Sequence, residues 1–208
     1  PSEKRSMKAI ILASASPRRR DILEKTGLKF TVDASCYEEK FTSKMGPRAL
    51  ARFLSLQKAQ SVAARHRNAL IIAADTLIFF EGEVFGKPHT KEEALRMLRR
   101  LNGGVHTVVT GFTIIDTKSG KKMSRSAETM VHFRRLTTKQ IEPYIASGEP
   151  LDKAGGYAIQ GQGAFLIRKI EGDFFNVVGL PLRMVIQGLK EFGVNISLSK
   201  DSSGIKRG

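Results

Sequence analysis

An α/β fold built on a mixed β-sheet follows from three features of the sequence. Short apolar runs at 8 to 13 and 69 to 74 alternate with segments of helical periodicity, as in a partly parallel sheet. Two long alternating stretches, 105 to 116 and 123 to 136, flank "KSGKK" and read as an antiparallel hairpin. No linker, internal repeat or low-complexity tract divides the 208 residues, so a single domain over 1–208 is expected.

The elements follow in order. Residues 8 to 13 suit a buried strand bounded by Ser14, and a helix then starts with Ser16 as N-cap and Pro17 at its first position. Ile22 and Leu23 supply its buried face and Gly27 its stop. A strand fits 29 to 35, and a polar loop runs to about Gly46. "PRALARFLSLQKAQSVAARH" carries Leu50, Phe53, Leu54 and Val62 at helical spacing and predicts a long amphipathic helix from Pro47. "ALIIAAD" reads as a second buried strand ending on Asp75, and "TLIFFEGEVFGKP" as a hairpin turning at Glu81-Gly82. Thr90 and Glu93 form a capping box before "ALRMLRRLNGG". After the long hairpin come a short helix at 138 to 147, a Gly-rich loop, a strand at "AFLIRKI", an irregular "EGDFFNVVG" and a last helix from Pro181 to about Phe192.

At 41% hydrophobic, the chain can bury a substantial core. No apolar run reaches the roughly 20 residues of a membrane helix, and "PSEKRSMK" is too short and polar for a secretory signal. A soluble, cytoplasmic protein with no membrane partner is therefore expected, with flexible tails at 1–7 and 200–208. Cys36 is the sole cysteine, which rules out an internal disulfide and a Cys-rich zinc site. His66, His89, His106 and His132 show neither HxH nor HExxH spacing, so any metal should be a hard, oxygen-bound one. The net charge of +15 favours polyanions, either nucleic acid, anionic lipid or phosphorylated small molecules.

Chemistry is expected at the C-terminal ends of the two buried strands, where open α/β sheets bind ligands. The first strand delivers Ser14, Ser16 and Arg18 to Arg20; the second delivers Asp75 and Thr76. Arginines at a helix N-terminus repel the dipole by about 0.3 to 1 kcal/mol each, so an anion should compensate them. Asp75 suits a general base, a metal ligand or a cap. With Glu38 or Glu39 from a second loop, it can hold Mg²⁺ or Mn²⁺ completed by waters and phosphate oxygens. Lys58 and Lys87 can reach a phosphate as point charges. Gln160, in "GGYAIQGQGA", offers a donor and an acceptor to a base edge. The Walker pattern GxxxxGK[ST] does not occur.

In order along the chain stand "LASASPRRRDIL", Glu39 followed nineteen residues later by Lys58 in "KA", "AADT", "GKP", "HTVVTG", "GEPLDKAGGYAIQG" and "NVVGLPL". Seven motifs in register over nearly the whole chain resemble the Maf family of nucleotide pyrophosphatases. The resemblance implies an elongated mixed α/β sheet flanked by helices around a central cleft, similar to the inosine triphosphate pyrophosphatases. The implied reaction is hydrolysis of a nucleoside triphosphate at the α–β linkage, with a divalent cation. It also implies a homodimer, since the family often forms dimers.

Carried across by motif, Asp75 is the general base or metal organiser and Glu39 the second acidic group, both toward the metal. Ser14, Arg18, Arg19, Lys58 and Lys87 form the triphosphate-binding set, and Thr76 and Gln160 stand near the base. The arginine pair after "SP", the Thr after "AAD" and "IQG" resemble the members preferring dTTP and UTP. Members preferring 7-methyl-GTP tend to carry an aromatic residue at the position of Arg18. Two alternatives remain at this stage: the same reaction on an inosine-like purine, and a basic nucleic-acid-binding module. Against the second stand the lack of an RNP-type aromatic motif and of Trp. A nucleic-acid partner is therefore not expected.

Overall fold

A computed structural model describes residues 8–37 and 45–196. Glu38 and Glu39, and the segments expected to be tails, lie outside these residues. The elements are β1 (Ala9–Leu12), α1 (Pro17–Glu24), β2 (Thr31–Val32), α2 (Pro47–Ala63), β3 (Ala69–Phe80), β4 (Glu83–Phe85), α3 (Lys91–Leu101), β5 (Val105–Asp116), β6 (Lys122–Phe133), α4 (Thr138–Ala146), β7 (Ile167–Glu171), α5 (Phe174–Val178) and α6 (Leu182–Glu191). Short 3₁₀ turns occupy most of 149–166.

The sheet runs β2-β1-β3-β5-β6-β7, with β4 paired to β3. Its β2-β1-β3 side is parallel and the rest is antiparallel, the mixed sheet expected from the sequence. β3 is the shared axis. It pairs with β5 from Leu70 to Phe79 without a break, while on its other edge β1 accompanies it through Ile72 and β4 takes over at Ile78. Asp75 therefore lies inside one long strand, whereas the sequence reading ended a strand there. The charged residue interrupts the apolar run, but the unbroken ladder to β5 carries the strand across it.

Alternation along β3 assigns its side chains to two faces. Leu70, Ile72 and Ala74 pack with Leu12, Ile22, Leu23 and Phe112, under α1 and α6. Ile78, on the same face, joins Leu98, Leu101 and Ile141 of α3 and α4. Ile71 and Ala73 face the other way, onto Ala59 and Val62 of α2, and Leu77 packs on Leu50, Ala51 and Leu54 of the same helix. Each such large aliphatic side chain contributes about 1.5–3 kcal/mol when fully buried.

Other elements match or depart from the sequence for local reasons. Ser16 caps α1, accepting from the Arg19 amide, and Pro17 sits in the first turn. Thr90 caps α3 by accepting from the Glu93 amide at 3.1 Å, but the Glu93 carboxylate reaches back to the His89 amide rather than to Thr90. The strand expected at 29 to 35 shrinks to Thr31–Val32, both exposed, because only two residues find register with β1 at the sheet edge. "DFFNVV" forms a helix, α5, with the Asp173 carboxylate accepting from the Phe175 amide at 2.8 Å.

Gly111 of β5 lies opposite Asp75 in register, on the face covered by α2. A Cβ there would stand 2.1 Å from the Ala51 carbonyl oxygen and 2.5 Å from the Arg52 amide nitrogen. Glycine alone lets the helix backbone settle onto the sheet at this point.

Under the other half of the sheet, His106, Phe133 and Tyr157 form a three-ring cluster with edge-on contacts, their centroids 4.8 to 5.3 Å apart. His106 Nε2 and the Tyr157 hydroxyl share a hydrogen bond of 2.6 Å. Burial, with a smaller effect from His132, holds the His106 imidazole down at about 4, and burial pushes the Tyr157 hydroxyl up.

Gly111→Ala is expected to destabilise the fold by about 1–3 kcal/mol, lowering Tm by about 2–4 °C for each kcal/mol in a thermal melt. A pH dependence is also expected. An unfolded chain protonates His106 near 6.5 and the folded one near 4, so stability from this group is complete above 6.5 and is lost as pH falls from 6.5 to 4. The loss is on the order of 3 kcal/mol. Urea titrations across that window should show it in the wild type and a flatter slope in His106→Gln.

Candidate active site

Where β1 ends, the Ala13 amide makes a last bond to the Ile72 carbonyl at 2.7 Å, and the chain turns through Ser14 into α1. Between that point and Ile78, no strand among the described residues pairs with this edge of β3. A cleft fills the gap, and it has two chambers. A cavity of about 120 Å³ is lined by Thr76, Ile78 and Val108 of the sheet, by Lys153, Ala154 and Tyr157 to Gln160 of the Gly-rich loop and by Val177 to Gly179. A larger one, about 390 Å³, lies against Ala13 to Pro17, Ser35, Tyr37 and Lys58. Ser16, Arg18, Arg19 and Lys87 line both.

The three successive arginines separate into three situations. Arg18 faces both chambers. Arg19 donates from Nε to the Gly179 carbonyl at 2.8 Å, from Nη1 to Ser14 Oγ at 3.2 Å and from Nη2 to Thr76 Oγ1 at 3.1 Å. Arg20 is exposed and pairs with Glu24 one turn on, at 3.4 Å.

Ser14 is buried, and its hydroxyl also accepts from the Ser16 amide at 3.3 Å, which shapes the turn. Thr76 Oγ1 lies 2.9 Å from Thr110 Oγ1, and Thr110 donates to the Asn176 carbonyl at 3.0 Å. The fully buried Asn176 side chain donates to the Val108 carbonyl and to Thr129 Oγ1, fixing α5 against β5 and β6. The "NVVG" segment is thereby held as a wall of the smaller chamber.

Asp75 and Thr76 point to opposite faces, as neighbours in a strand must. Thr76 joins the Arg19 network, while the buried Asp75 carboxylate pairs with the Lys58 ammonium from α2. Lys58 lines the larger chamber and Asp75 does not, so the carboxylate stands behind the lysine. Lys58 follows Ala51 by about two helical turns, and the close seat of α2 on Gly111 sets its height above Asp75.

Of the residues singled out in the sequence, Arg18, Arg19 and Lys87 meet at the junction of the chambers, and Ser14 and Lys58 lie in the larger one. Thr76 and Gln160 lie in the smaller. Glu39 lies outside the described residues. Lys153, Tyr157 and Val177 to Gly179 were not singled out, although their motifs were noted. Lys153 Nζ donates to the Glu149 carbonyl at 2.6 Å and lines the smaller chamber. Its signal was a lysine beside paired glycines in "DKAGGY"; nothing local shows that this loop folds over β3.

Among the described residues, no group of three or more His, Cys, Asp or Glu could hold a metal. A Mg²⁺-type ion needs only one or two carboxylates, with phosphate oxygens and waters for the rest. Asp75, buried next to a cationic chamber, fits as one of them. No helix among the described residues is long and apolar enough to cross a membrane.

Comparison with known proteins agrees with this architecture. The dTTP/UTP pyrophosphatase of Moorella thermoacetica is 50% identical over 190 residues, covering 91% of this chain and 98% of its own length. Those of Methanosarcina barkeri and Halalkalibacterium halodurans are 48% and 44% identical over 91% and 90% of this chain, and 97% of their own lengths. With residues 9–192 matching the model of the Maf-like proteins as well, the chain belongs to the Maf family.

Proposed function

We propose that this protein hydrolyses dTTP and UTP to the nucleoside monophosphate and pyrophosphate. The observation that carries the reading is the pair of chambers joined at Arg18, Arg19 and Lys87, in a chain whose relatives bear that activity in their names. The smaller chamber takes the base and the larger takes the triphosphate. At about 120 Å³, the smaller approaches the roughly 150 Å³ that admits a benzene ring. Thr76 and Gln160 line it, which favours this reading over an inosine-like substrate. Gln160 and Lys153 offer polar groups to the pyrimidine ring's carbonyls.

The chemistry needs charge neutralisation and a positioned water. Arg18, Lys87 and Lys58 offset the charge of the triphosphate, with Ser14 and Arg19 shaping the passage between the chambers. An arriving phosphate competes for the Lys58 ammonium and so frees the Asp75 carboxylate. Asp75 then takes a proton from water as its oxygen bonds to the α-phosphorus, and the α–β bridging bond breaks with its electron pair leaving on pyrophosphate. A divalent cation, held by Asp75 with Glu39 as its second carboxylate, would supply further neutralisation of phosphate charge. Mg²⁺ and Mn²⁺ both suit such an oxygen set.

With a panel of nucleoside triphosphates plus Mg²⁺ or Mn²⁺, dTTP and UTP should turn over fastest and pyrophosphate should be the first phosphorus product. Orthophosphate as first product would sink the α–β assignment. Asp75→Asn is expected to lower kcat by about 10²–10⁴-fold while nucleotide binding by titration stays measurable. Near-normal turnover would remove Asp75 from the proton transfer. Chelation should abolish activity, and added Mg²⁺ or Mn²⁺ should restore it.

A further inference from the structure

We infer that Arg19 is a positioning residue, which couples the wall of the base chamber to the phosphate side of the cleft instead of serving mainly as a phosphate ligand. The inference rests on the reading of the two chambers above. Arg19 springs from the first turn of α1, beside Arg18, and its guanidinium reaches three different parts of the fold. Nη1 holds Ser14 at the end of β1, Nη2 holds Thr76 in β3, and Nε holds the Gly179 carbonyl between α5 and α6.

Three bonds from one planar group fix it in position and direction, which a lysine ammonium on a flexible stem does not reproduce. They also direct all three guanidinium nitrogens toward protein acceptors. A phosphate at this place would have to share donors already committed.

The acceptors lead onward. Thr76 meets Thr110, and Thr110 bonds to the carbonyl of Asn176, three residues before Gly179. The "NVVG" wall is therefore tied to the sheet through Thr110 and to α1 through Arg19. Gly179 has φ of 128°, a conformation that side chains avoid, and an added Cβ would lie 3.5 Å from both Arg19 Nε and Thr76 Oγ1. The glycine lets the backbone carbonyl come within reach of the guanidinium. Neighbouring Arg18 makes no hydrogen bond of this kind among the described residues and faces both chambers, so it is the arginine disposed toward phosphate.

The division of labour predicts different behaviour for two adjacent arginines. Hydrogen–deuterium exchange on the ligand-free protein reads the strut directly, since the Gly179 and Leu180 amides both bond to the Phe175 carbonyl at 3.0 Å. Arg19→Ala should speed exchange over 176–180 by about tenfold or more, the effect of losing a charge-assisted bond, while Arg18→Ala leaves it as in wild type. Inhibition by inorganic pyrophosphate, which has no base, should weaken about tenfold or more in Arg18→Ala but change little in Arg19→Ala.

Kinetics with UTP and CTP should show Arg19→Ala losing discrimination between the bases, with KM for UTP raised more than kcat is lowered. Arg19→Lys should not restore it. Unchanged exchange over 176–180 in Arg19→Ala would overturn the inference, as would a loss of pyrophosphate inhibition equal to that of Arg18→Ala. Because the exchange arm needs no turnover, it judges the strut even if the product analysis overturns the proposed reaction.

Discussion

The fold depends on one strand exchanging neighbours. β3 keeps β5 on one edge throughout and on the other passes from a parallel partner to an antiparallel one. The exchange leaves a stretch of backbone with a partner on one side only, inside a sheet whose two faces are otherwise covered by helices. Parallel β1 has to leave through a turn and a helix, because its chain continues upward while β4 arrives by a tight hairpin from the opposite direction. The cleft is the space between a departing strand and an arriving one, and the turn that opens it carries Ser14 and the arginines.

Position along β3 also settles which groups meet. Successive residues face opposite sides, so Asp75 and Thr76, adjacent in sequence, meet different partners, Lys58 of α2 and Arg19 of α1. The carboxylate is buried against a lysine from α2 and is thus partnered before any substrate arrives. Removing one member of a buried ion pair costs about 3–5 kcal/mol because the other charge is stranded. A phosphate that drew the lysine away would strand the Asp75 carboxylate in the same sense, unless a proton or a cation took the lysine's place.

Much of this was legible in the sequence, for reasons of range. Ser16 with Pro17, Thr90 with Glu93 and the alternation of 105 to 116 are local signals, and each element appeared where its signal stood. What the sequence hid was decided by distant partners. A strand reading stopped at Asp75 because a charge breaks an apolar run, whereas the ladder to β5 is a tertiary fact. β2 was overestimated because apolar content says nothing about how many residues find an edge partner. In the site, Arg18, Arg19, Lys58, Lys87 and Gln160 were visible as chemistry-bearing types, and the family motifs supplied the roles expected of them. The bonds of Arg19 to Gly179 and of Thr110 to Asn176 span 160 and 66 residues, and no local pattern announces them. The Asp173 cap of α5, by contrast, is a local signal, since Asp favours the N-cap position.

The neighbour exchange on β3 also bears on how the molecule comes into being. β1 must find β3 some sixty residues away, and α5 must find β5 at a similar separation, before either chamber has walls. Contacts of such long range carry the entropic cost of closing large loops, which slows folding. The local hairpins and helices can exist earlier, but none contains a chamber by itself. A partly folded chain therefore has no rudimentary version of the cleft, and the capacity to hold a nucleotide arrives only with the completed topology.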